Sequence, residues 1–209
     1  MIVVGCLSVF EAEATLRKCL RSITPFVDRI IAIDGAYAGF SDHIASQDGT
    51  EVLIRGFQKP YILQRAPPSF FRSEMAKRNQ YLFERYLDEG DWAFIIDADE
   101  YIESGVEETL DFLQDSKEPY HSVHTVHPDK NLPDYARSLG DRVRLIKYAS
   151  GMKYRGNHYT IVTASGSQIP LQAMPTPLTV VHDDHHVSEA YKKALDDYNR
   201  NIRPTLEKP

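Results

Sequence analysis

The chain opens on an unbroken apolar run, Ile2 to Val9, of strand length and with no polar face. That is the pattern of a parallel strand covered on both sides, and it predicts a central position in a sheet. From Glu11 to Ile23, Leu16, Cys19, Leu20 and Ile23 recur at helical spacing, and Thr24-Pro25 supplies the stop. Val27 to Ile33 reads as a second strand ending at Asp34-Gly35, with Val52 to Arg55 as a short third beyond a polar loop. Arg72 to Leu87 sets Met75, Asn79, Leu82, Phe83 and Tyr86 along one helical face before Asp88-Glu89-Gly90 ends it. Trp92 to Ile96 is then a buried strand, and Val106 to Leu113 a helix.

The second half changes character. Tyr120 to Val126, Arg142 to Tyr148, Tyr154 to Thr163 and Leu178 to Val181 read as strands between loops rich in Pro, Gly and Ser. Ser188 to Ile202 closes the pattern as a helix, with Ser188 as N-cap and Pro204 beyond its end. The fold class this predicts is α/β: a mainly parallel, Rossmann-like sheet flanked by helices, with a β-rich C-terminal half.

Composition narrows the setting. A length of 209 residues with 42% hydrophobic content favours one core and one domain. A formal charge of -6 argues against general nucleic-acid binding. No run approaches the ~20 apolar residues of a membrane span, and the start lacks the basic leader of a signal peptide. Cys6 and Cys19 fall on apolar faces without metal-ligand spacing. A soluble, reducing, cytoplasmic setting is expected.

The candidate chemistry lies at strand ends. In an open parallel sheet ligands bind beyond the carboxyl ends of the strands, where Glu11, Asp34 and the stretch Asp97-Ala98-Asp99-Glu100 fall. In an extended segment Asp97 and Asp99 point to the same face. Two such buried carboxylates repel and resist ionisation unless a cation joins them. Mg2+ or Mn2+ suits one or two carboxylates, with water and substrate phosphates completing its shell.

The run Arg78-Asn79-Gln80, followed by Gly90-Asp91-Trp92-Ala93-Phe94-Ile95-Ile96-Asp97-Ala98-Asp99-Glu100, resembles the core of family 2 glycosyltransferases of the GT-A fold, in which an Arg-Asn helix precedes an acidic DxD motif. Asp34-Gly35 with Gln47-Asp48-Gly49-Thr50 is similar to that family's strand-two Asp and the turn after it, although the loop Ala36 to Ser46 is longer than usual. Arg144 to Lys147 and Tyr154 to His158 resemble a later segment, with Tyr159 where a Glu often stands. The resemblance covers roughly the first 160 residues. It implies transfer of a sugar from a nucleotide-diphosphate donor, UDP being the commonest, to an acceptor hydroxyl, with residues 1–103 as the donor half and 104–209 as the acceptor half. Asp34 would then bond the nucleobase, Ser8 and Phe10 would border it, and Glu11 stands at the same strand end. Asp97 would face ribose or metal, and Asp99 would ligate the metal. Arg78 would pair with a motif carboxylate or the diphosphate. A third metal ligand is expected from His182, with His158 and His185 behind it. The candidates for general base are Glu100, Asp141 and Asp183.

Plainer readings accompany each of these. Asp97 and Asp99 could cap the next helix, and Asp34 could shape a turn. Arg78 could pair with Glu74 one helical turn away, Glu11 could serve the helix dipole, and His182 could be an ordinary hydrogen-bonding residue. A nucleotidyltransferase or pyrophosphorylase is the rival enzyme class, although Ser8 to Ala12 lacks its Gly-rich phosphate loop. A noncatalytic nucleotide-sugar-binding module is the rival outside enzymes.

Overall fold

A computed structural model describes residues 1–67, 69–82, 84–156, 160–171, 173–183 and 200, with the backbone alone at 134 and 135. The initial apolar run is β1 (Val3–Val9), flanked in parallel by β2 (Arg29–Asp34) and β4 (Trp92–Asp97), with β3 (Tyr61–Arg65) parallel outside β2. The sheet continues through β7 (Ser138–Lys147), β6 (Tyr120–Val126), β10 (Met174–His182) and β5 (Glu100–Ser104). Its eight strands run in the order β3-β2-β1-β4-β7-β6-β10-β5, with β6 and β10 parallel and the pairs β4–β7, β6–β7 and β10–β5 antiparallel. One sheet therefore crosses both halves of the chain.

Alternation along each strand sends side chains to two cores. On one face Val3, Leu7, Trp92, Phe94 and Leu145 pack with α1 (Glu13–Ile23) and α4 (Val106–Asp115). On the other, Val4, Cys6, Ile31, Ile95 and Ile146 pack with Tyr81, Leu82 and Tyr154. Both cysteines are free and buried, and burial pushes their thiols up, as fits small apolar residues.

Several expected elements are corrected. The stretch expected as a third strand is α2 (Thr50–Arg55), where Ile54 is buried, Val52 faces solvent and Arg55 pairs with Glu51 one helical turn back. The strand beside β2 is Tyr61–Arg65 instead. The predicted helix over Arg72 to Leu87 shrinks to α3 (Glu74–Arg78), N-capped by Ser73. It stops because Asn79 turns its amide to bond both the N–H and the C=O of Tyr154. The expected strand Tyr154 to Thr163 is two short pieces, β8 (Lys153–Tyr154) and β9 (Ile161–Val162). A four-residue helix, α5 (Asp134–Arg137), precedes β7. The stretch after the acidic motif, left unassigned in the sequence, is a strand because β10 supplies an edge for β5. The predicted helix Ser188 to Ile202, with His185 before it, lies outside the described residues but for residue 200, as does His158.

Candidate active site

The parallel strands end together. The register sets Ser8 opposite both Ile33 and Asp97, Val9 opposite Asp34, and Asp34 opposite Arg65, so the ends of β1 to β4 form one row. Acidic side chains on separate strand ends thereby reach one crevice edge.

Asp97 ends β4 between two guanidinium groups. Arg78 Nη2 donates to its Oδ1 at 2.7 Å, and Arg144 Nη1 lies 3.6 Å from its Oδ2. Burial opposes ionisation of Asp97, but Arg78 and Arg144 overcome it and hold its carboxyl below the usual carboxylate range. Arg78 also pairs with Glu74 at 2.9 Å, so the local ion pair and the motif contact coexist on one side chain. In the sequence Arg144 stands out only as the start of the segment Arg144 to Lys147. It comes from β7, whose pairing with β4 is set by distant sequence, and it also bonds Glu100.

Glu100 departs from its expectation as a base. It is 2% exposed, takes Arg144 on one oxygen and accepts the Asp97 N–H on the other. It braces the motif from inside. Asp99 is different: burial first, then the charge of Asp97, push its carboxyl up to about 6. His182, opposite Glu100 in the β10–β5 register, brings Nδ1 to 3.9 Å from Asp99 Oδ1 and 3.5 Å from Glu100 Oε1. Its contact with Glu100, aided by the charge of Asp99, raises its pKa to about 9 against the opposing effect of burial. Asp183 donates its backbone N–H to the Asp99 carbonyl, and its carboxylate meets Lys18 of α1 at 3.0 Å. Asp141 faces His124 at 2.8 Å.

Among the described residues no group of three His, Cys, Asp or Glu side chains is arranged to hold a metal ion. Asp97 does not suit the ligand role expected of it, because both of its oxygens face arginines. Asp99 and His182 face each other with the imidazole protonated at neutral pH, so His182 would have to release that proton before it could join Asp99 in holding a cation. A hard cation of this kind takes few protein ligands when phosphate oxygens complete its shell.

At the β2 end, Asp34 is also corrected. It is fully buried, and Ser46 covers it with a hydroxyl donated at 2.6 Å, while Arg65 Nε lies 3.7 Å away. It therefore acts as an internal anchor. The Ser46 hydroxyl in turn accepts the Glu11 N–H at 2.8 Å, and Glu11 is held at φ 47. Holding a non-glycine residue there costs of order 1–3 kcal/mol, which this bonded chain offsets. Gly35 next door has φ +153, and a Cβ there would lie 2.6 Å from Ala66. Thr50 and Asp48 accept from the next two amides, Ala12 at the N-cap of α1 and Glu13 at its first position. Ser8 sits half-buried at the end of β1. Beside it Phe10 meets Phe40, and Phe40 meets Tyr37, each with ring centroids 6.0 Å apart, so the long loop builds an aromatic wall.

Lys77 is the residue here that gave no sequence signal, since helix position alone does not reveal burial. It is 1% exposed and donates to the Val9 carbonyl at 2.7 Å. Burial lowers its pKa to about 7, with the charge of Asp34 opposing. Between pH 7 and the ordinary lysine pKa of 10.5, the unfolded chain binds a proton there that the folded chain does not. The contribution of Lys77 to stability therefore rises with pH through that window. Urea unfolding of Lys77→Met should show the variant at its largest advantage over the parent near pH 7, of order 1–4 kcal/mol, with the gap narrowing by pH 10. A gap independent of pH would contradict this.

No protein-family model and no curated protein matches the chain. Among solved structures, S. aureus TarS 1-349 aligns with TM-score 0.50 at 13% identity over 64% of this chain and 39% of that one. The fold is of the GT-A type. The same TarS fragment in complex with UDP-GlcNAc aligns with TM-score 0.49 at 13% identity, over 64% of this chain and 37% of that one. HddC from Yersinia pseudotuberculosis aligns with TM-score 0.46 at 12% identity, over 95% of this chain and all of that one. The chain thus spans about two fifths of the TarS fragment's length. The GT-A topology accounts for the half-parallel sheet met here: the four parallel strands carry the crevice, and the antiparallel addition brings β10 and His182 back to it. No helix among the described residues is long and apolar enough to cross a membrane.

Proposed function

We propose that the chain transfers a sugar from a nucleotide-diphosphate donor, with UDP-sugars as the first candidates, to an acceptor hydroxyl with the help of Mn2+ or Mg2+. The observation that carries this is Asp99, a partly compensated carboxylate at the strand-end crevice with His182 facing it, beside an Asp97 immobilised by Arg78 and Arg144. Asp99 and His182 would hold the ion, which when bound supplies neutralisation of charge building on the departing diphosphate. Phe10, Tyr37 and Phe40 wall the side on which a base would stack. Asp183 lines the same small cavity as Asp99, with its carboxylate 3.0 Å from Lys18, and is the candidate to take the acceptor's proton.

The bonded amides of Ala12 and Glu13, where the chain enters α1, weigh against the nucleotidyltransferase reading. Those amides answer Asp48 and Thr50 and are not presented to a phosphate. Two free, buried thiols suit a reducing compartment, and the cytoplasm is the proposed location. The test is nucleotide release from a panel of UDP-, GDP- and dTDP-sugars with and without Mn2+. One donor should be consumed in a metal-dependent way. Absence of release from every donor would overturn the reading.

A further inference from the structure

The solvent face of α1 carries an unexplained groove. Ala14, Arg17, Lys18, Arg21 and Ser22 line a shallow cavity of about 450 Å3. A smaller cavity, bordered by Lys18, Asp99, Tyr101 and Asp183, shares Ala14 and Lys18 with it. The two run together, from the carboxylate end of the site along the helix.

Charge changes sign along that path. At the junction Lys18 bonds Asp183 and lies 3.6 Å from the Tyr101 ring centroid, which fixes it in place. Arg17 and Arg21, one residue before it and three after it on the helix, are exposed, and neither forms an ion pair among the described residues. Four residues apart on one helix, they repel each other and weaken it. The helix dipole rewards only Arg21, which is in the last turn. Helix stability therefore does not explain the pair, and in a chain of net charge -6 a cationic stripe leading from the site stands apart. Guanidinium groups match phosphate oxygens in pairs, which an ammonium does not.

We infer that the groove along α1 holds the acceptor, and that the acceptor carries a phosphate group bound by Arg17 and Arg21, which lie about one helical turn apart on either side of Lys18. The word acceptor rests on the glycosyltransfer reading; the phosphate site does not. The test is calorimetric titration of glucose 6-phosphate and of glucose into the intact chain and into Arg17→Ala/Arg21→Ala. Both arginines are exposed, so the variant should keep its melting temperature. Glucose 6-phosphate should bind the parent, about tenfold more weakly the variant, and glucose should bind neither comparably. Equal affinity for the variant, equal binding of glucose, or no binding of glucose 6-phosphate to the parent would each overturn the inference. Binding confined to phosphatidylglycerol vesicles would do the same, since the anion would then be a lipid surface. If no nucleotide-sugar is consumed while the variant still loses glucose 6-phosphate affinity, the glycosyltransfer reading falls and the phosphate site stands.

Discussion

Arg144→Met should lower unfolding stability by about 3–5 kcal/mol, the range for removing one partner from a buried ion pair. Arg144 is the counterion of a Glu100 that is 2% exposed and a second counterion of Asp97. Without it the cation left beside Glu100 among the described residues is His182, 3.5 Å away, and the buried carboxylate is poorly compensated. Adding Glu100→Gln removes the stranded charge, so the double variant should recover more than half of the loss. Urea titration of both variants measures this coupling directly. A single-variant loss under ~1 kcal/mol would show that the network is not the brace described here.

Asp99→Ala should have the opposite profile. Donor turnover should fall by about 100-fold or more, the usual scale for removing a group that organises charge stabilisation at a reacting centre. Stability should hold or rise slightly, because burial and Asp97 both disfavour the Asp99 carboxylate, and its removal relieves that conflict. Asp97→Ala should lower both quantities, since it leaves Arg78 and Arg144 facing each other without their shared anion. Nucleotide release and thermal melting, measured on the two variants side by side, separate the roles. Equal loss of turnover and stability in both would contradict the division of labour between the two aspartates.

How much of this was legible beforehand depended on sequence separation. β1, α1, β2, β4 and β6 are strongly periodic local segments, and reading periodicity placed them to within a few residues. The acidic motif was visible because an apolar strand runs straight into it. Its internal division was not. Asp97 and Asp99 look equivalent in sequence, and only the pairing of β4 with β7 delivers Arg144 to one of them. The covered state of Asp34 likewise depends on Ser46, twelve residues away in the long loop whose path no local pattern specifies. The helix expected through Leu87 failed for a related reason: the side chain of Asn79 bonds Tyr154, 75 residues distant, and tertiary contact overrides propensity there. Val52 to Arg55 was misassigned because four apolar and charged residues fit either period, and the i,i+4 pairing of Arg55 with Glu51 appears only once Thr50 and Glu51 are read into the same helix.

The central claim is that Asp99 and His182 form a two-donor cation site completed by a nucleotide diphosphate. Calorimetric titration of UDP into the parent chain and into Asp99→Ala, each with and without Mn2+, tests it most directly. The account predicts that Mn2+ strengthens UDP binding to the parent by about tenfold or more and leaves the variant nearly unaffected. Equal enhancement by Mn2+ in both proteins, or none in the parent, would contradict it.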